Sequence, residues 1–188
     1  MEISLHLLDL LQNCAFAQAT CVSVSVLTDK DSDRLLVTVE DNGRGMDEEE
    51  SRRALDPFYT SHKLKKVGLG LPLIAEAAKM AGGDITVESR PGRGTKVEVT
   101  LSLSHIDRQP IGDLAATIVS FLAGNPEIET RLFFKGQEGS FTFVSSQLVP
   151  ERERRAMGQI AFLSLAEEIL RDGLARAGFR PDGGGAIG

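Results

Sequence analysis

The sequence predicts an α+β fold for residues 1–103: a two-layer sandwich with helices on one face of a mixed, mostly antiparallel sheet. Three observations carry the prediction. Alternating apolar and polar residues at 22–28 and 34–40 flank a polar turn, and 84–89 and 95–104 flank a second, so two hairpins are expected. Apolar residues at helical spacing precede the first hairpin and separate it from the second. Hydrophobic residues make up 41% of the 188, enough for a real core without a disulfide or metal staple.

The elements follow in order. Residues 3–18, ISLHLLDLLQNCAFAQ, hold no Gly or Pro and are apolar on most of their face, which reads as a buried helix. VSVSVLT and RLLVTVE are strands around the turn DKDSD. After the glycine turn DNGRGM, Asp47 and Glu50 have capping-box spacing and open a short helix. DPFYTSHKLKKV is polar, basic and irregular, hence a mobile loop. The helix beginning at GLGL carries Pro72 in its first turn and stops on Gly82 and Gly83. DITVES and TKVEVTLSLS form the second hairpin about RPGRG.

Residues 104–110 read as a linker. Beyond it, 111–178 reads as a helix–hairpin–helix extension, and 179–188 as a disordered tail. Ile111, Leu114, Ala115, Ile118, Val119 and Leu122 keep helical spacing up to Gly124-Asn125. The extension matches no motif and leaves three uses open: a packing addition to the sheet, a homodimer surface, or a docking site for a partner.

Net charge of −6 removes the broad positive field used in non-specific nucleic-acid binding. No apolar run is long enough to cross a bilayer and no export signal leads the chain, so a cytoplasmic location without membrane contact is expected. Cys14 and Cys21 have no metal-ligand spacing and read as small buried hydrophobes.

Three glycine turns can carry chemistry: DNGRGM, GLGL and GRGT. Glycines at a helix start present free N–H groups to a phosphate. Asp9 and Asn13 lie one helical turn apart and share a face. Taken in order, DLLQN, DNGRGM, DPFYTSHK, GLGLPL and GRGTKVEV resemble the motifs of the nucleotide-binding domain shared by histidine kinases, DNA gyrase, mismatch-repair ATPases and large heat-shock chaperones. The resemblance covers residues 5 to about 101.

That resemblance implies ATP and Mg²⁺ as cofactors and assigns roles along the chain. Asp41 would accept a hydrogen bond from the adenine amino group, with Gly43, Gly45 and Met46 beside the base and Thr95 supporting it through a hydroxyl. Asn13 would ligate Mg²⁺, an ion that prefers oxygen donors and few protein contacts. Phe58 belongs to the motif before the lid. Gly68, Leu69, Gly70 and Leu71 would meet the phosphates, with Lys63 (and Lys65 or Lys66) compensating charge. Asp9 stands where hydrolysing and serine-phosphorylating members place a catalytic carboxylate and many sensor kinases an amide, and a magnesium-shell role is the alternative. His6 reads as a packing or surface residue. No phosphoacceptor helical hairpin precedes the Asn13 helix in this sequence, which argues against autophosphorylation by the usual route. Two functions are consistent with the resemblance. One is a kinase or slow ATPase in two-component-type signal transduction, acting on a protein partner or phosphoacceptor. The other is an ATP-gated regulatory module that clamps a partner as anti-sigma factors do.

Overall fold

The computed structural model describes residues 2–56 and 70–181. Helix α1 (Ile3–Phe16) leads into strands β1 (Cys21–Asp29) and β2 (Arg34–Asp41), then the short helix α2 (Glu48–Arg53). Helix α3 (Gly70–Met80) is followed by β3 (Asp84–Arg90), β4 (Gly94–Ser102), α4 (Leu114–Gly124), β5 (Glu129–Lys135), β6 (Ser140–Val144) and α5 (Glu151–Arg176). The strands make a single six-stranded sheet in the order β3-β4-β2-β1-β5-β6. Among the described residues only β1 and β5 pair parallel; the other pairs are antiparallel, which is the mixed sheet expected.

Register explains the single buried face. Val24 pairs with Val39 and Leu132, and Val39 with Val97, so one row of β-branched and leucine side chains crosses four strands. Val26, Val37, Val99 and Phe134 form the next row, and both rows are buried. Alternate residues, Ser23, Ser25, Thr38 and Glu98, line the opposite, partly exposed face. A period of two puts every core residue on one side, and the helices cover that side.

Helix α1 buries Ile3, Leu7, Leu10, Leu11 and Cys14. It stops two residues short of the sequence expectation. Gln18 adopts a left-handed backbone (φ 60°), and the Ala17 carbonyl is taken by the Arg44 amide at 2.8 Å. At its other end no side chain caps it. The amides of Ile3 and Ser4 donate instead to the carbonyls of Pro110 and Ile111, at 3.0 and 2.8 Å. Residues 104–110, read as a linker, thus end by supplying the cap that α1 lacks.

The same region packs further against α1. Buried His6 bonds Gln109 through Nε2 at 3.1 Å, and burial holds its imidazole below the usual pKa, so His6 is a packing residue. Helix α4 inserts Leu114, Ile118, Phe121 and Leu122 into the core shared with α1. Helix α5 is broken at Gly158 (φ 78°, ψ 165°), and beyond the break Phe162, Ala166, Leu170 and Leu174 are buried at helical spacing. Phe179, placed in the tail by the sequence, is buried edge-on to Phe134, ring centroids 5.3 Å apart. Residues 182–188 lie outside the described residues.

Because β5 is bonded along its length to β1, the C-terminal residues and the first hairpin share one core. Phe134→Ala is expected to cost roughly 3–5 kcal/mol by opening a cavity under that junction. In a urea titration the midpoint should fall in one cooperative transition, and amide exchange should accelerate in β1 as well as β5. Faster exchange confined to β5 and β6 would contradict a shared core.

Candidate functional site

The site grows from one end of the sheet. Counting outward from the RPGRG turn, Arg90 pairs with Gly94 and Ser89 with Thr95; Thr95 in turn pairs with Asp41 on β2. Ser89, Thr95 and Asp41 therefore occupy one row, on the helix-covered side where Val87, Val97 and Val39 form the next row. Asp41 is 8% exposed, an acidic side chain placed where the pattern otherwise puts valine or leucine. Its Oδ1 accepts the Gly43 amide at 2.7 Å. Burial pushes its carboxyl above the ordinary range, opposed by the Gly43 amide, the Cys14 thiol and the Thr95 amide. Cys14 is pushed up as well, by burial first and then by the Asp41 charge, and its thiol donates to Leu10 O at 3.2 Å. That thiol stays protonated, which removes the reactive thiolate an oxidation switch needs.

The DNGRGM turn is tied down at several points, with only Asn42 and Arg44 exposed among its six residues. Gly43 has no room for a side chain: a Cβ there would lie 2.6 Å from the Ala17 carbonyl oxygen. Gly45 has φ 65°, and a Cβ would run into the Arg90 carbonyl. Asn42, which the sequence reading passed over, accepts the Thr20 and Cys21 amides on Oδ1, both at 2.9 Å, and donates to Thr20 Oγ1 at 2.9 Å. The Met46 amide donates to Ser89 Oγ at 2.8 Å. Asp47 and Glu50 then close the expected capping box on α2. The turn reads in isolation as a hairpin signal, yet it is a fixed platform.

A second group lies alongside. Asp9 and Asn13 are exposed on one face of α1, a turn apart. Gly70, the first residue of α3, faces both: a Cβ there would lie 3.3 Å from Asp9 Cβ and 3.5 Å from Asn13 Nδ2. The helix start is thus seated against the Asp9–Asn13 face, and the bare Gly70 leaves a cradle there. Leu71 is half-buried against the core. Cys14 joins the two groups, because it follows Asn13 and is buried near enough to Asp41 for the carboxylate's charge to raise its thiol. Phe58, Lys63, Lys65, Lys66, Gly68 and Leu69 lie outside the described residues. The structure brings Asp9, Asn13, Asp41, Gly43, Gly45, Met46, Gly70 and Thr95 to one side of the molecule's core. It adds Asn42, Ser89 and Cys14. Pairing outward from the second turn was the signal that could have found Ser89.

Chemically, the arrangement is a buried acceptor at one end and an exposed carboxylate–amide pair beside a helix start at the other. The buried end can accept a hydrogen bond from a ligand's N–H. Residues 2–105 match the family model described as histidine kinase-, DNA gyrase B-, and HSP90-like ATPase, more than half of the chain. The chain belongs to this family. It therefore carries an ATP-binding, histidine-kinase-like module.

Among curated relatives, sporulation kinase C of Bacillus subtilis (strain 168) is 35% identical over 80 residues, 43% of this chain and 18% of that protein. The alginate biosynthesis sensor protein KinB of Pseudomonas aeruginosa is 33% identical over 94 residues, 50% of this chain and 16% of its own. The CAI-1 autoinducer sensor kinase/phosphatase CqsS of Vibrio cholerae is 28% identical over 154 residues, 78% of this chain and 22% of that one. The chain thus spans less than a quarter of each of these sensor kinases. A solved N-terminal domain of a DNA repair protein shares the fold, with a TM-score of 0.51 at 14% identity over 76% of this chain and 51% of that one. Among the described residues no helix is long and apolar enough to cross a membrane.

The raised Asp41 carboxyl makes a signed prediction. A group with a raised native pKa favours the fold below its unfolded value, 3.8, and loses that contribution as pH climbs through the raised one. Asp41→Asn keeps an acceptor for Gly43 and drops the buried charge. Its Tm at pH 7 should exceed the parent's by roughly 2–4 °C for each kcal/mol relieved, and the gain should vanish near the unfolded pKa. A lower Tm at pH 7 in differential scanning calorimetry would show that the ionised carboxylate supports the fold. Asn42→Ala should lower stability by about 1–3 kcal/mol, since three bonds of roughly 0.5–1.5 kcal/mol each are lost and water replaces some of them.

Proposed function

We propose that Asp41 reads the amino group of adenine and that Asp9 and Asn13 handle the phosphate end, making the chain a nucleotide-dependent kinase or slow ATPase in signal transduction. The observation that carries this is the contiguity of the two groups. A buried carboxylate held by the Gly43 amide is joined through Cys14 to the exposed Asp9–Asn13 pair against Gly70. Family membership supplies the nucleotide, and the sensor-kinase relatives supply the signalling context.

Each residue has a physical part. Gly43, Gly45 and Met46 support the base end, and Thr95 adds a hydroxyl beside Asp41. Gly70 and Leu71 open α3, whose N-terminal amides and dipole favour a phosphate. Gly68, Leu69, Lys63 and Phe58 complete the set on the family's motifs. Asn13, exposed beside the start of α3, would hold Mg²⁺ through its amide oxygen, and the ion would supply charge compensation. Asp9, exposed on α1, takes the proton from an attacking water or hydroxyl at its carboxylate. Phosphoryl transfer of this kind depends on positioning and charge more than on covalent chemistry.

Incubation of the chain with γ-labelled ATP in cell extract tests the reading directly, with label expected in inorganic phosphate or in one partner protein. Asp9→Asn should lower turnover by about 10²–10⁴-fold and leave calorimetric ADP affinity within roughly twofold, since the carboxylate is placed away from the base. If turnover disappears while partner control in cells survives, the ATP-gated clamp replaces the enzyme. Asn13→Ala should abolish the difference between titrations with and without Mg²⁺. An unchanged Mg²⁺ effect would leave Asn13 a structural residue.

A further inference from the structure

Ser89 stands in the site's row but has no place in the roles above. Its hydroxyl owns one proton and two lone pairs. Three partners surround it: the Met46 amide at 2.8 Å, the Gly94 carbonyl oxygen at 3.1 Å and Thr95 Oγ1 at 2.8 Å. The amide can only donate and the carbonyl can only accept. One arrangement alone satisfies all three contacts. Ser89 gives its proton to Gly94 O and accepts from both Met46 N–H and Thr95 O–H. In the opposite arrangement Ser89 donates to Thr95, and the Gly94 contact is left without a proton.

The proton count has a consequence next door. Thr95 gives its only hydroxyl proton to Ser89, so it turns lone pairs alone towards any ligand. Its register partner is Asp41, an acceptor when ionised. Partners in an antiparallel pair have Cβ atoms about 5 Å apart, within reach of one ligand group directly or through a single water. Two acceptors side by side match an amino group, which carries two N–H bonds. They oppose an oxo group, which offers only lone pairs.

We propose that Ser89 is a positioning residue that locks Thr95 as a hydrogen-bond acceptor, so that Thr95 and Asp41 together select a 6-aminopurine. The inference rests on the adenine-nucleotide reading above. Gly45 and Gly94 make the lock possible: both have positive φ, and a Cβ on either would strike backbone of the opposing turn, Arg90 or Asp41. The close approach they permit brings the Met46 amide onto Ser89.

The test is a cycle between the Ser89 hydroxyl and the ligand's amino group, measured by calorimetry on the full chain. The probes are ADP and purine riboside 5′-diphosphate, which differ only in that amino group. The parent is expected to bind ADP at least tenfold more tightly than the deaminated probe, a difference of about 1.4 kcal/mol. Ser89→Ala should cut that ratio at least threefold, because the Thr95 proton is no longer held away, and Ser89→Thr should restore it. A Ser89→Ala ratio within twofold of the parent, with both ligands weakened in parallel, overturns the proposal and leaves Ser89 a brace for Met46. So does a Ser89→Thr ratio as low as that of Ser89→Ala. If Ser89→Ala does not fold, the ratio in Ser89→Cys, whose thiol is a poor acceptor for the Thr95 proton, decides by the same criterion. Parent protein that binds neither probe refutes the nucleotide reading and this inference with it, whereas ADP binding with an unchanged ratio refutes this inference alone.

Discussion

The structure around the site depends on one constraint: a carboxylate must sit at the covered end of β2, where among the described residues no ion pair compensates it. Burying a charge is costly unless hydrogen bonds replace its water. Asp41 obtains one from the backbone, and that donor fixes its neighbours. The Gly43 amide folds the turn back on the strand end. That fold presses Gly43 against Ala17, so α1 must end where it does. Cys14 is buried close enough to the carboxylate to feel its charge, on the face of α1 opposite the exposed Asp9 and Asn13. The carboxylate still lies above its ordinary pKa, so the compensation is partial. A group left partly unsatisfied inside a fold is poised to accept a ligand's N–H.

Much of this was legible before any coordinates. Alternation at 22–28 and 34–40 and at 84–89 and 95–104 fixes which residues face inward, and carried one step further it places Asp41 and Thr95 on the covered side. The capping box at Asp47 and Glu50 is local chemistry and formed as read. What stayed hidden is long-range or counted in protons. Nothing near Asn42 says that its amide ties Thr20 and Cys21, because those residues are brought together by the β1–β2 ladder. The break in α5 turns on Gly158, which in a sequence reads as a tolerated glycine within an amphipathic run. An addition to the sheet is one of three uses the sequence leaves open for the C-terminal region, but hydropathy alone does not name β1 as the partner or a parallel pairing as its form.

That pairing changes what α1 is. A helix whose first amides lack a side-chain cap frays unless other groups accept them. Here Pro110 and Ile111 accept them, Thr117 Oγ1 approaches the Ser4 carbonyl at 3.4 Å, and α4 fills the groove alongside. Just before β1, the Thr20 carbonyl beyond the other end of the same helix accepts the Glu129 amide at 2.9 Å, where β5 begins. Both ends of the Asp9–Asn13 helix are therefore tied to residues beyond 105. Packed elements of this kind move together or not at all. The geometry of Asp9 and Asn13 against Gly70 is set as much by α4 and β5 as by the motif that contains them, and a chain cut after the family-matching residues would lose the cap of the helix that carries two of its site residues.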